Sequence, residues 1–200
     1  MKIKIGHLYP YELTLYGENG NLKALKYALE QKGIEVEVTC INKEDSFDIK
    51  AYDFVYIGSG RPEFLEEIKE RLEPYKKDIK DYINKDKVLL ATGNSIAILE
   101  LLRLYEIEYY DKRRVSDIEG TTSLYNGKIY GFQNTEYLIK TTKNILFSLE
   151  KGYGNNETCM EGYKKNNFYA TSIIGPILAR NDNLTNYLVE TLIKNKKEQE

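Results

Sequence analysis

One histidine (His7), two cysteines (Cys40 and Cys159), four prolines and no tryptophan are what this 200-residue chain has little or nothing of. Each scarcity excludes something. Two cysteines without metal-ligand spacing make neither a disulfide framework nor a zinc site, so no metal is expected and a reducing cytoplasm is the natural setting. A single histidine restricts proton transfer near neutral pH to one imidazole. Charge of one sign is also missing: 29 Lys and Arg stand against 31 Asp and Glu, a net charge of −2. That balance argues against a nucleic-acid partner, which needs clustered basic charge. No apolar run approaches the length of a membrane span, and Met-Lys-Ile-Lys-Ile opens as a strand rather than a signal peptide.

What is present is alternation of strand and helix patterns. Lys2–Leu8 reads as a strand, with a helix over about Asn21–Lys32 that Gly33 stops. Ile34–Cys40 follows as a strand in which Ile34, Val36, Val38 and Cys40 share the apolar face, so Cys40 is expected as a small core residue. Asp53–Ile57 is a third strand, ending in Gly58-Ser59-Gly60, and a charged helix over about Pro62–Asn84 leads to a fourth. This order gives an α/β fold: a three-layer sandwich with a flavodoxin-like, mostly parallel sheet and loops gathered at the strand C-terminal ends. The second half changes to short strand-like pieces at Tyr105–Tyr110 and Val115–Ile118. A hairpin at Ser123–Tyr130 turns at Asn-Gly, and strands follow at Asn144–Leu149 and Phe168–Ile174. A helix over about Leu184–Lys194 closes the pattern, with residues 196–200 expected as a frayed tail of a single domain, 1–200.

The stretch with most chemical content is Val88–Leu99. An apolar strand runs into a turn at Thr92-Gly93, and Asn94 or Ser95 can cap the helix behind it. In α/β enzymes such a strand–turn–helix often holds a nucleophile above the sheet. The apex residue is Thr92. A threonine hydroxyl is activated only by an adjacent base or terminal amine. Without one, a hydrogen bond to the turn backbone is its simpler role. Gly58, Ser59 and Gly60 offer either an anion-binding nest or merely a tight turn.

Several motifs then align in order: His7-Leu-Tyr-Pro10, Leu15-Tyr-Gly-Glu-Asn-Gly-Asn21, Gly58-Ser-Gly60, the Thr92 turn, Gly131-Phe-Gln-Asn134, Gly152-Tyr-Gly-Asn-Asn156 and Gly175-Pro-Ile-Leu178. Together they resemble class I glutamine amidotransferases of the cobyric-acid-synthase type, over roughly residues 3–195. The resemblance implies a cysteine nucleophile after the fourth strand, a histidine base before the Gly-Pro and an arginine that holds the substrate carboxylate. It implies no cofactor, and a Mur-ligase-like synthetase as the protein partner that receives ammonia. Here those three positions correspond to Thr92, Ile174 and Leu138. Isoleucine accepts no proton and leucine pairs with no carboxylate, so glutaminase activity is expected to be absent and a binding, structural or regulatory role to remain. Binding residues would be drawn from Gly58, Ser59, Gly60, Thr92, Gly93, Asn134 and Leu138. One alternative is an enzyme that reuses the pocket through Thr92 with His7, Glu136 or Tyr137 as base. Another is a working amidotransferase subunit that feeds a cell-wall or cobyric-acid-type synthetase.

Overall fold

The computed structural model describes residues 1–198. β1 (Lys2–Leu8) leads through an aromatic loop into α1 (Asn19–Glu30), β2 (Glu35–Ile41) and β3 (Phe54–Ile57). α2 (Pro62–Leu72), α3 (Lys76–Asn84), β4 (Val88–Thr92) and α4 (Ser95–Leu99) complete the first half. The second half runs β5 (Ile107–Thr121), β6 (Lys128–Ile139), β7 (Phe147–Lys151), β8 (Met160–Glu161), β9 (Tyr163–Lys165), β10 (Phe168–Thr171), α5 (Ile177–Arg180) and α6 (Asp182–Lys197). Among the described residues no helix is long and apolar enough to cross a membrane.

The main sheet has strand order β2-β1-β3-β4-β10-β9, parallel except for the β10–β9 pair. The two-residue period of a strand divides its side chains between two cores. Val55, Ile57, Leu89 and Ala91 face α2, α3 and α4 through Leu65, Ile68, Ile79 and Ile96. Phe54, Tyr56, Val88 and Leu90 face α1 and α6 through Leu22, Leu25, Leu188 and Leu192. Three layers result, as the alternation predicts. A second, antiparallel sheet of order β6-β5-β7-β8 joins the α1/α6 side. A bridge from Phe132 to Ile174 ties it to the segment behind β10.

Five sequence expectations need correction. The charged helix is two helices, because Pro74 has no amide to donate and its ring displaces the carbonyl one turn back. The two short pieces after Tyr105 are one strand, β5, which bulges between Tyr109 and Arg114. The hairpin pairs β5 with β6, so Leu124 and Tyr125 lie in its connecting loop rather than in a strand. Cys40 is exposed, since β2 is the sheet's edge strand and its apolar face extends past the cover of α1. Finally, Lys196 and Lys197 continue α6, where Lys196 Nζ lies 3.1 Å from the buried Asp53 carboxylate. Residues 199–200 of the expected tail lie outside the described residues.

Leu25 is fully buried between α1 and the sheet. Leu25→Ala is expected to lower unfolding free energy by about 2–5 kcal/mol, through lost transfer energy and a residual cavity. Lys196→Ala is expected to lower it by about 1 kcal/mol or less, since Lys87 still faces Asp53. Denaturant midpoints measured side by side check the ranking.

Candidate functional site

Strand C-terminal ends bring the candidate residues together. β4 ends in Thr92, and Gly93 turns the chain with φ +62, a conformation that disfavours L side chains. A Cβ at Gly93 would lie 2.5 Å from Ser59 and 2.7 Å from Ile174 Cγ2, so the loop after β3 and the segment after β10 close over this turn. Asn94 does not cap α4 with its side chain. Its Oδ1 instead accepts from Ser59 Oγ and the Gly60 amide, both at 3.0 Å, while its Nδ2 donates to the Gly60 carbonyl at 2.6 Å. The Gly60 amide is therefore already occupied rather than open to an anion. A Cβ on Gly60 would meet the Glu12 carbonyl at 2.5 Å, so close backbone approach is what requires glycine here.

Thr92 has no exposed surface, and its hydroxyl bonds not to the turn backbone but to side chains. It donates a short hydrogen bond to Glu18 Oε2 and lies 2.8 Å from the Tyr56 hydroxyl. Tyr56 also donates to Glu18 Oε2, at 2.5 Å, and accepts from Asn21 Nδ2 at 2.7 Å. Glu18 Oε1 accepts from the Gly175 amide at 3.1 Å, and Asn21 Oδ1 from the Leu178 amide at 2.8 Å. All four side chains are buried. Burial raises the Glu18 pKa, against the opposing pull of its Thr92, Tyr56 and Gly175 donors.

Glu18 is the residue that sequence reasoning missed. Its only trace was one acidic residue among the turn formers of Leu15–Asn21. Tyr16 and Gly17 both take positive φ just before it, which turns its side chain inward. The bases weighed from sequence do not reach Thr92. Glu136 pairs with Arg113 at 3.3 Å. Tyr137 bonds Thr135 through its amide. His7 packs against the Tyr56 ring at 5.4 Å, with Nε2 buried and without a hydrogen-bond partner among the described residues. Burial pushes its pKa down to about 4, which leaves it neutral at pH 7.

Outside this closed cluster lies a small cleft of about 30 Å³, lined among others by Tyr16, Ser59, Gly60, Arg113, Asn134 and Tyr137. As it stands it has room for a water or two. Of the residues singled out from sequence, Ser59, Gly60, Asn134, Glu136 and Tyr137 reach it. Gly58, Thr92, Gly93 and Leu138 do not, and Leu138 and Ile174 are buried side chains of the interior. The cleft does contain a guanidinium, that of Arg113, which approaches Asn134 Oδ1 at 3.4 Å.

With this geometry in hand, the chain can be set beside known proteins. No family model matches it. It is 31% identical to the lipid II isoglutaminyl synthase (glutamine-hydrolyzing) subunit GatD of Streptococcus pneumoniae, over 98% of this chain and 82% of the relative. The chain belongs to the GatD family. The GatD subunit of Staphylococcus aureus is 29% identical, over 98% of this chain and 86% of its own length. A glutamine amidotransferase of Thermotoga maritima superposes with a TM-score of 0.59 at 10% identity, covering 98% of this chain and 85% of that one. The GatD relationship thus goes with a class I amidotransferase fold in which the Thr92 hydroxyl is engaged by Glu18.

Glu18 and His7, both buried, act in opposite directions on stability. Glu18, raised in the folded state, contributes fully below its unfolded value of 4.5, and that contribution is lost as pH rises through the folded value. His7, lowered to about 4, contributes above its unfolded value of 6.5 and loses that as pH falls to about 4. Glu18→Gln removes the first effect alone. The difference in unfolding free energy between wild type and Glu18→Gln is expected to shrink as pH rises above 4.5. Urea unfolding at half-unit pH intervals from 4 to 8 measures it, and a pH-independent difference would contradict the assignment.

Proposed function

We propose that this GatD-family chain does not hydrolyse glutamine and serves as a binding, structural or regulatory subunit of a Mur-ligase-like synthetase. The observation that carries the proposal is the state of Thr92. A nucleophile must present its oxygen to a substrate carbonyl with a base beside it. Thr92 Oγ1 has no exposed surface, and it is engaged by Glu18 and Tyr56. Ile174, at the position where the family resemblance implies a histidine, offers only an aliphatic surface over Gly93. Leu138, where it implies an arginine, is enclosed in the interior. The curated relatives carry the word subunit in their names, and the chain matches most of their length. Both facts favour assembly with a synthetase as the retained role, in a soluble cytoplasmic setting.

One observation favours a second reading, an enzyme that uses Thr92. Glu18 is a carboxylate in direct hydrogen-bond contact with the Thr92 hydroxyl, and so the one base in place to take its proton. That reaction would need the Gly93 turn to open, because Thr92 has no exposed surface as the structure stands.

Ammonia release from glutamine separates the two. Wild type, alone and with the synthetase, is expected to match the uncatalysed rate, and Thr92→Ala to leave that background unchanged. Ammonia from the wild type that disappears in Thr92→Ala would establish the enzyme instead. Co-elution of the chain with a Mur-ligase-like synthetase, unaffected by Thr92→Ala, is the expected outcome for the binding role. Thr92→Ala should also cost about 1–3 kcal/mol of stability, because Glu18 is left buried with one donor fewer.

A further inference from the structure

A larger cleft lies on the other side of Tyr56, between α1 and the edge of the main sheet. It encloses about 440 Å³, within the size range of small-molecule sites. Its floor follows from strand register. His7 on β1 stands opposite Cys40 on β2, and Ile5 opposite Val38, so these side chains share the sheet face toward α1. α1 covers Ile5 with Leu22 and Leu25 but stops short of the edge, which leaves Val38 37% exposed and Cys40 exposed. The wall is one helical face, for Asn19, Leu22, Lys23 and Lys26 fall at i, i+3, i+4 and i+7. Tyr11, 78% exposed, stands at the rim.

Three features give this cleft a chemical preference. Its body is apolar, from Leu22, Val38 and Pro10. Its charge is of one sign: Lys23 and Lys26 line it, and no Asp or Glu does. Lys26 has the Glu30 carboxylate at 3.6 Å, whereas Lys23 has no ion-pair partner among the described residues. Lastly, the His7 ring closes the base of the cleft at 4% exposure, its Nε2 buried and without a hydrogen-bond partner among the described residues.

We infer that this cleft is a second binding site, for a small anion with an apolar body, such as an aryl carboxylate or aryl phosphate. The apolar body lies along Val38 and Leu22 above the His7 ring, and its anionic group meets Lys23. The site is separate from the closed Thr92 cluster, since Tyr56 stands between them with its hydroxyl turned to Thr92 and its ring against His7.

Cys40 provides a built-in reporter. The test uses the full chain with four probes in calorimetric titration: phenyl phosphate, benzoate, inorganic phosphate and neutral benzamide. Phenyl phosphate or benzoate is expected to bind at one equivalent, and which of them binds distinguishes a phosphate from a carboxylate ligand. Inorganic phosphate and benzamide, each lacking one half of the chemistry, should bind at least tenfold more weakly. Lys23→Glu, at an exposed helix position, should weaken the aryl anion at least tenfold. A saturating probe should slow iodoacetamide alkylation of Cys40 about fivefold or more, while Cys159 reacts unchanged. No binding by either aryl anion, equal binding to Lys23→Glu, or unprotected Cys40 would each overturn the inference.

Discussion

A buried carboxyl group with no ion-pair partner among the described residues ties the centre of this protein together. Glu18 is buried, and hydroxyl and amide donors from Thr92, Tyr56 and Gly175 meet its oxygens. Those donors come from the ends of β4 and β3 and from the chain after β10, while Glu18 itself opens α1. One side chain thus fixes four segments that converge at the C-terminal edge of the sheet. A buried polar network of this kind is stabilising only while every member is paired, so each of its residues constrains the others. That constraint keeps the Thr92 hydroxyl buried and engaged.

The same arrangement explains why the motifs and the chemistry part company. The motif glycines are retained by geometry: Gly93 by a left-handed turn beneath Ser59 and Ile174, Gly60 by the Glu12 carbonyl against it. Here Ile174 packs over Gly93, and the Thr92–Glu18 bond occupies the space beneath. The turn is closed on both sides, with the Thr92 hydroxyl buried beneath it.

Most of the architecture was legible in the sequence, because the apolar run Val88–Ala91, the two-residue alternation in Ile34–Cys40 and the helical spacing in α1 are local signals. The Thr92 turn, with Ile174 brought against it, followed from motif order. The failures are all non-local. Cys40 sits on an apolar strand face, yet only the strand order shows that β2 is an edge and that α1 does not reach it. The Tyr109–Arg114 bulge depends on pairing with β6, and the Lys196–Asp53 contact links residues 143 positions apart. Glu18 was hidden because a carboxylate among turn formers reads as solvated, and nothing nearby in sequence shows that Thr92, 74 residues on, will bury it.

The central claim is that the Thr92 hydroxyl is closed to glutamine. Intact-mass spectrometry after incubation with a diazoketone analogue of glutamine, with and without the synthetase, tests it most directly. Such a reagent alkylates a nucleophile poised in a glutamine pocket, and the Thr92→Cys/Ile174→His variant serves as the positive sample. The account predicts no adduct on the wild-type chain under either condition. A stoichiometric adduct mapping to Thr92 would contradict it.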